Sequence, residues 1–238
     1  MISDGAGAQG VPQLQDLDGT TKPVYQMPAN MALVTGNLEN RAAWLTECGY
    51  AGTGGDLSTA DELAQADFYA KMAPLSLSYG LDNSFAFCFP FFYQSGSNQQ
   101  FGMLRSSGFS PRAGVNSAAI TAQQLRTAHY YGMLNTGNTN ITGLVFQNAD
   151  GTYLLELWAT SSGGTGAYSL PGGATFTGVF DYMGRITDTG STTSVVVQTT
   201  AKFVTLNGSG ITSVTTASTN PYPNPSESGT SPSPKRPA

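Results

Sequence analysis

The sequence predicts an α+β fold, an antiparallel β-sandwich or barrel with two or three helices in the first half of the chain. Three observations predict it. Apolar residues at helical spacing, each run opened by a capping residue, lie before residue 135. Alternating and hairpin-flanked runs lie mostly in 76–219. The chain has 238 residues, 39% of them hydrophobic and 11% aromatic, which is enough to bury a core. Three regions follow: an extended N-terminal arm (1–35), an α+β body (36–219) and a Pro/Ser-rich C-terminal tail (220–238).

The arm has no usable period. Gly5, Gly7, Gly10, Pro12, Gly19, Pro23 and Pro28 interrupt it, and apolar residues come singly. Asn37 then suits an N-cap for a helix from Leu38, with Leu38, Ala42, Leu45 and Cys48 on one face and Gly49 as the stop. Ser58 and Asp61 form an acidic capping box. Leu63, Ala66, Tyr69 and Ala70 continue that helix until Pro74. A third helix is expected from Ala122 to about Leu134, opened by Thr121 and Gln124 and spaced by Leu125, Ala128 and Tyr131 or Gly132.

Strands are expected next. Phe85, Phe87, Phe89 and Phe91 alternate with Ala86, Cys88, Pro90 and Phe92, apolar on both faces, so this strand should be buried on both sides near one end. Pro90 lacks an N–H and belongs at an edge or bulge. Runs 141–147 and 152–159 flank Asn148-Ala149-Asp150-Gly151, a hairpin signal. Further strands are expected at 102–105, 174–182, 194–203 and 211–217. From Thr189 to Thr219 nearly every second residue is Ser or Thr and Lys202 is the only charge, so a strand edge there is open to pairing with another chain. The tail holds six of the thirteen prolines and forms no core.

Composition narrows the function. Charged residues make up 11% of the chain, against about 25% in ordinary globular proteins. Net charge is −5 and the ten Lys and Arg are scattered, which argues against nucleic acid and anionic membranes as partners. The N-terminus lacks a basic and apolar leader pattern, and no run approaches the ~18 apolar residues of a spanning helix. Cys48 and Cys88 are too few for a disulfide framework, lack metal-ligand spacing, and read as small core residues.

Several motifs look chemical. Asp16-Leu17-Asp18-Gly19-Thr20 resembles the DxDGT core of haloacid dehalogenase-type phosphatases, but Pro12, Gln13 and Gln15 precede it where a buried parallel strand is needed. Asp188-Thr189-Gly190-Ser191 resembles the aspartic-protease signature, which works as a pair of carboxylates; only one copy is present, and Asp-Thr-Gly is also an ordinary turn. His129 is the only histidine, so any Ser-His or Cys-His pair must use it, and it is expected within the third helix. No catalytic, cofactor-binding or metal-ligating residue is therefore assigned, and no cofactor is expected. Tyr130-Tyr131, Phe91-Phe92-Tyr93 and Tyr222 are candidates for stacking on a sugar, or for core and subunit interface.

Ser3-Asp4-Gly5-Ala6-Gly7-Ala8, Val11-Pro12-Gln13-Leu14 and Asp18-Gly19-Thr20-Thr21-Lys22-Pro23-Val24 resemble N-terminal segments of tailed-bacteriophage virion proteins, over roughly the first tenth of the chain. The resemblance implies an arm that docks on a neighbouring subunit and a β-rich body. The expectation is a non-enzymatic structural subunit of a virus particle, such as a capsid decoration, tail or connector component. Its partners would be other virion proteins and itself, within a virion assembled in host cytoplasm. The alternatives are a carbohydrate- or receptor-binding β-sandwich, and a hydrolase using Asp16/Asp18 or Asp188.

Overall fold

A computed structural model describes residues 44–53, 57–78, 81–91, 93–94, 99–160, 162–170, 175–188 and 193–206. The expected arm, the tail, the strand at 211–217, Asp16, Asp18 and Tyr222 lie outside them. The described elements are β1 (Trp44–Cys48), β2 (Gly52–Thr53), α1 (Thr59–Ser78), β3 (Asn83–Ala86), β4 (Tyr93–Gln94), β5 (Gln99–Gln100) and α2 (Ala113–Leu125). Next come β6 (Ala128–Met133), β7 (Ile141–Asn148), β8 (Tyr153–Ala159), β9 (Gly166–Ser169), β10 (Phe176–Asp181), β11 (Ile186–Asp188), β12 (Ser194–Val197) and β13 (Lys202–Leu206). This is an α+β fold. Its main sheet has six antiparallel strands in the order β11-β10-β13-β8-β7-β6, open at both ends, so the described strands form no closed barrel.

The centre of that sheet explains the fold. β7 and β8 are the expected hairpin. Gly151 takes φ +83 at its turn and donates to the Asn148 carbonyl, while Asp150 accepts from the Thr152 N–H. β8 is buried on both faces, which is why it reads as an almost continuous apolar run. Leu154 and Trp158 join a core with α1 residues Phe68, Tyr69, Met72 and Leu75. Leu155, Leu157 and Ala159 join a second core with Val195 and Val197 of β12 and Tyr168 of β9. Full burial of side chains this large stabilises by about 1.5–3 kcal/mol each. β9 and β12 form their own antiparallel ladder against the second core.

The α1 helix starts as expected. Ser58 Oγ accepts from the Asp61 N–H at 3.1 Å and donates to its carboxylate at 2.8 Å. Gln65 through Met72 are buried without interruption, so α1 is a central helix rather than a surface one. It does not stop at Pro74 but continues to Ser78, because the last turn is itself buried and Leu75 packs in the core. α2 packs on it closely. Ser117 Oγ donates to the Ala66 carbonyl at 2.6 Å, and a Cβ on Gly114 would lie 3.0 Å from Gln65.

Five further expectations are corrected. The expected helix at 38–48 is, in its described part, strand β1, paired in parallel with β3. A register irregularity between Leu45 and Cys48 sends both into the core, so their i, i+3 spacing imitated a helix. The expected helix at 122–134 is the end of α2 followed by strand β6. His129 and Tyr130 pair with Gln147 and Phe146, and cross-strand packing of Tyr130 on Phe146 outweighs the helical spacing. The strand at 85–92 stops at Ala86 and is not buried on both sides, since Phe85 and Phe89 are exposed. Residues 102–105 form one isolated bridge, Leu104 to Pro111, rather than a strand. The expected strand at 194–203 is divided between β12 and β13, and the break at 198–201 becomes part of the site below.

Candidate functional site

Between α1 and the main sheet lie three ionisable side chains that sequence reading did not single out. Asp67 and Lys71 stand one turn apart on α1, so both project from the same face. Glu156 sits between Leu154 and Trp158 on β8, and alternation along the strand directs it to the helix-side core with them. None of the three is more than 1% exposed. Lys71 Nζ donates to Asp67 Oδ2 at 2.7 Å and to the Thr199 carbonyl at 2.5 Å. Asp67 Oδ1 accepts from the Ala201 N–H at 2.8 Å. The Trp158 ring lies below the ammonium, 5.5 Å from Nζ to the centroid.

Burial governs the electrostatics. It pushes the Asp67 carboxyl up despite the attraction of Lys71, and pushes the Lys71 ammonium down despite Asp67 and Glu156. Glu156 is raised well above the ordinary glutamate range, chiefly by burial, and neither of its oxygens has a hydrogen-bond partner. Its electrostatic coupling reaches both Lys71 and Asp67. Burial therefore draws all three groups, Glu156, Asp67 and Lys71, towards their neutral forms. The signal in the sequence was a single carboxylate inside Leu154-Leu155-Glu156-Leu157-Trp158, an apolar strand that leaves an acid nowhere to face water.

A second group joins α1 to the 101–112 segment. Arg105 pairs with Glu62 at 2.6 Å, and Arg112, fully buried, donates to the Gly102 carbonyl at 2.8 Å. Gln65 Nε2 reaches the Phe101 and Gly102 carbonyls. These contacts fix the segment rather than form a reactive centre.

The residues weighed from sequence do not come together. His129 is exposed on β6, not in a helix. Asp188 ends β11, and Thr189, Gly190 and Ser191 lie outside the described residues. Cys48 is buried on β1 and Cys88 is partly buried, its thiol pushed up to about 11 by burial; neither is in a disulfide. Tyr130 is core, whereas Tyr131 is exposed and meets Tyr153 edge to face. Among the described residues no cluster of His, Cys, Asp and Glu could hold a metal ion, and no helix is long and apolar enough to cross a membrane.

Two exposed rings meet across the β1–β3 pair, and Phe89, beyond β3 in sequence, is exposed as well. Trp44 is 53% exposed, Phe85 47% and Phe89 68%, and the Trp44 and Phe85 ring centroids are 5.8 Å apart across the β1–β3 pair.

No family model and no curated protein matches the chain. Among solved structures the fold is similar to a family 39 glycoside hydrolase from the gut symbiont Bacteroides cellulosilyticus WH2, with a TM-score of 0.57 and 18% identity. The likeness covers 76% of this chain and 38% of that one, so this chain matches well under half of that protein's length. At such identity it is a likeness of fold.

Proposed function

We propose that the chain works by contact rather than turnover, as a non-enzymatic subunit that joins other protein chains, and that the assembly is a virus particle. The observation carrying this reading is the exposed aromatic pair Trp44 and Phe85, with Phe89 three residues beyond β3. Contiguous apolar surface of this kind is costly on a free monomer and is relieved by a partner. The low charge of the chain and the open ends of its main sheet support the same reading. The β9–β12 ladder, packed on the second core, is read as the second layer of a sandwich. The buried carboxylates at Asp67 and Glu156 are enclosed by core and offer no open cleft for a substrate.

A second reading is favoured by the fold likeness and by the same two rings. In it the Trp44–Phe85 surface stacks on a sugar, and the chain is a glycan-binding module. Light scattering of the wild type and of the Trp44→Ser, Phe85→Ser double variant separates the two. Defined oligomers that fall to monomers in the variant support assembly. A monomeric wild type whose binding on a glycan array is lost in the variant overturns it in favour of the sugar-binding module.

A further inference from the structure

One end of the β6–β7–β8 ladder carries a polar and aromatic group outside the site described above. His129 on β6 pairs with Gln147 on β7, and Gln147 pairs with Tyr153 on β8. Residues directly opposite each other across a ladder share a face of the sheet, and Tyr153 packs against the second core. All three therefore form a row on that face. Tyr131 joins them, its ring meeting that of Tyr153 edge to face with the centroids 5.4 Å apart. Gln147 Nε2 donates to the Tyr153 hydroxyl oxygen at 3.1 Å.

A β-bulge places Tyr131 there. Tyr130 pairs with Phe146 and Gly132 with Val145, so Tyr131 is the extra residue of β6. Such a bulge re-aims one side chain, and it is commonest on the edge strand of a sheet, which β6 is. Tyr130 is in the core, whereas Tyr131 is 43% exposed, and Gly132 adds no side chain beside its ring. His129 is exposed, and Gln147 and Tyr153 are half-buried. The row thus offers one exposed, braced ring beside an imidazole, a carboxamide and a phenol hydroxyl. None of the four residues is an acid, a lysine or an arginine.

We propose that this row binds a neutral sugar, the C–H face of a pyranose stacking on the Tyr131 ring and its hydroxyls bonding to Gln147 and His129. Tyr153 already braces the Tyr131 ring, so stacking costs little further freedom. A carboxamide and an imidazole each donate and accept, as a sugar hydroxyl does. An apolar partner side chain fits poorly, because it would bury those two groups without hydrogen bonds. An acidic glycan or a nucleic acid finds no Lys or Arg in the row. The Trp44–Phe85 surface is separate, since β1 and β3 stand outside the six-stranded sheet. Sugar binding here is independent of assembly through that surface.

His129 is the only histidine of the chain, so the imidazole signal in a proton–nitrogen NMR spectrum of the tag-free protein reports on this row alone. The probes are the methyl glycosides of glucose, galactose, mannose and N-acetylglucosamine, titrated one at a time. At least one should shift that signal saturably. Tyr131→Ala, checked for folding by circular dichroism, should weaken the binding about tenfold, and Tyr131→Trp should retain it. The Trp44→Ser, Phe85→Ser double variant should bind as the wild type does. No saturable shift with any of the glycosides overturns the proposal. A shift that folded Tyr131→Ala retains at full affinity overturns it too, and its loss in the double variant would move the sugar to the Trp44–Phe85 surface.

Discussion

Glu156 illustrates how a single buried acid dictates behaviour over a pH range. Its carboxyl is raised because burial penalises the anion, with nearby Asp67 adding in the same sense and Lys71 opposing. A raised acid contributes stability that is full below the ordinary glutamate range and is lost as pH climbs towards the folded value. Wild-type stability should therefore decline from mildly acidic to neutral pH, and Glu156→Gln should flatten that slope. Urea denaturation at a series of pH values reads it; parallel slopes would refute the assignment. Asp67→Ala removes the partner of Lys71 and the acceptor of the Ala201 N–H together. The expected loss is about 3–5 kcal/mol, as for other broken buried pairs, and much of it should be recovered in Asp67→Leu with Lys71→Met. Denaturant midpoints of the two variants check this.

At the scale of elements, close approach decides where strands and helices sit. Gly49 follows β1, and a Cβ there would lie 2.1 Å from the Phe87 carbonyl oxygen. The Phe87 N–H donates to the Cys48 carbonyl at 2.8 Å, which holds the two segments together. Gly49→Ala must push them apart, with an expected cost of about 1–3 kcal/mol, measured by thermal unfolding. The same residue was legible in the sequence as a stop signal, but for a helix; what it ends is a strand. Leu45 and Cys48 misled for a related reason, since a bulge gives a strand the i, i+3 inward spacing that otherwise marks a helix. The α1 start and the β7–β8 hairpin were legible because their determinants are local: a Ser hydroxyl reaching Asp61, and a glycine at positive φ.

For the whole molecule, the main sheet ends in β6 on one side and β11 on the other. Ile186 on β11 is 61% exposed, and an apolar residue on an edge strand favours pairing with another chain. Ile186→Lys should reduce self-association without altering the fold, as read by sedimentation velocity beside circular dichroism. Unchanged association would place the contact elsewhere, with the Trp44–Phe85 surface the next to test.

Residue order alone was enough for the α+β class, the capped start of α1, the central hairpin and the scarcity of charge. These rest on local hydrogen bonds, on periodicity and on composition, which adjacent residues carry. Tertiary packing was needed to turn two expected helices into strands, to expose Phe85 and Phe89, and to divide the run at 194–203. It was needed above all to bring Glu156, Lys71 and Asp67 together with Thr199 and Ala201. Glu156 is 85 residues from Lys71 along the chain, and Thr199 is 128 from it. No pattern in neighbouring residues encodes a meeting at such separation; it exists because α1 covers one face of the sheet and a strand break turns two backbone groups towards it.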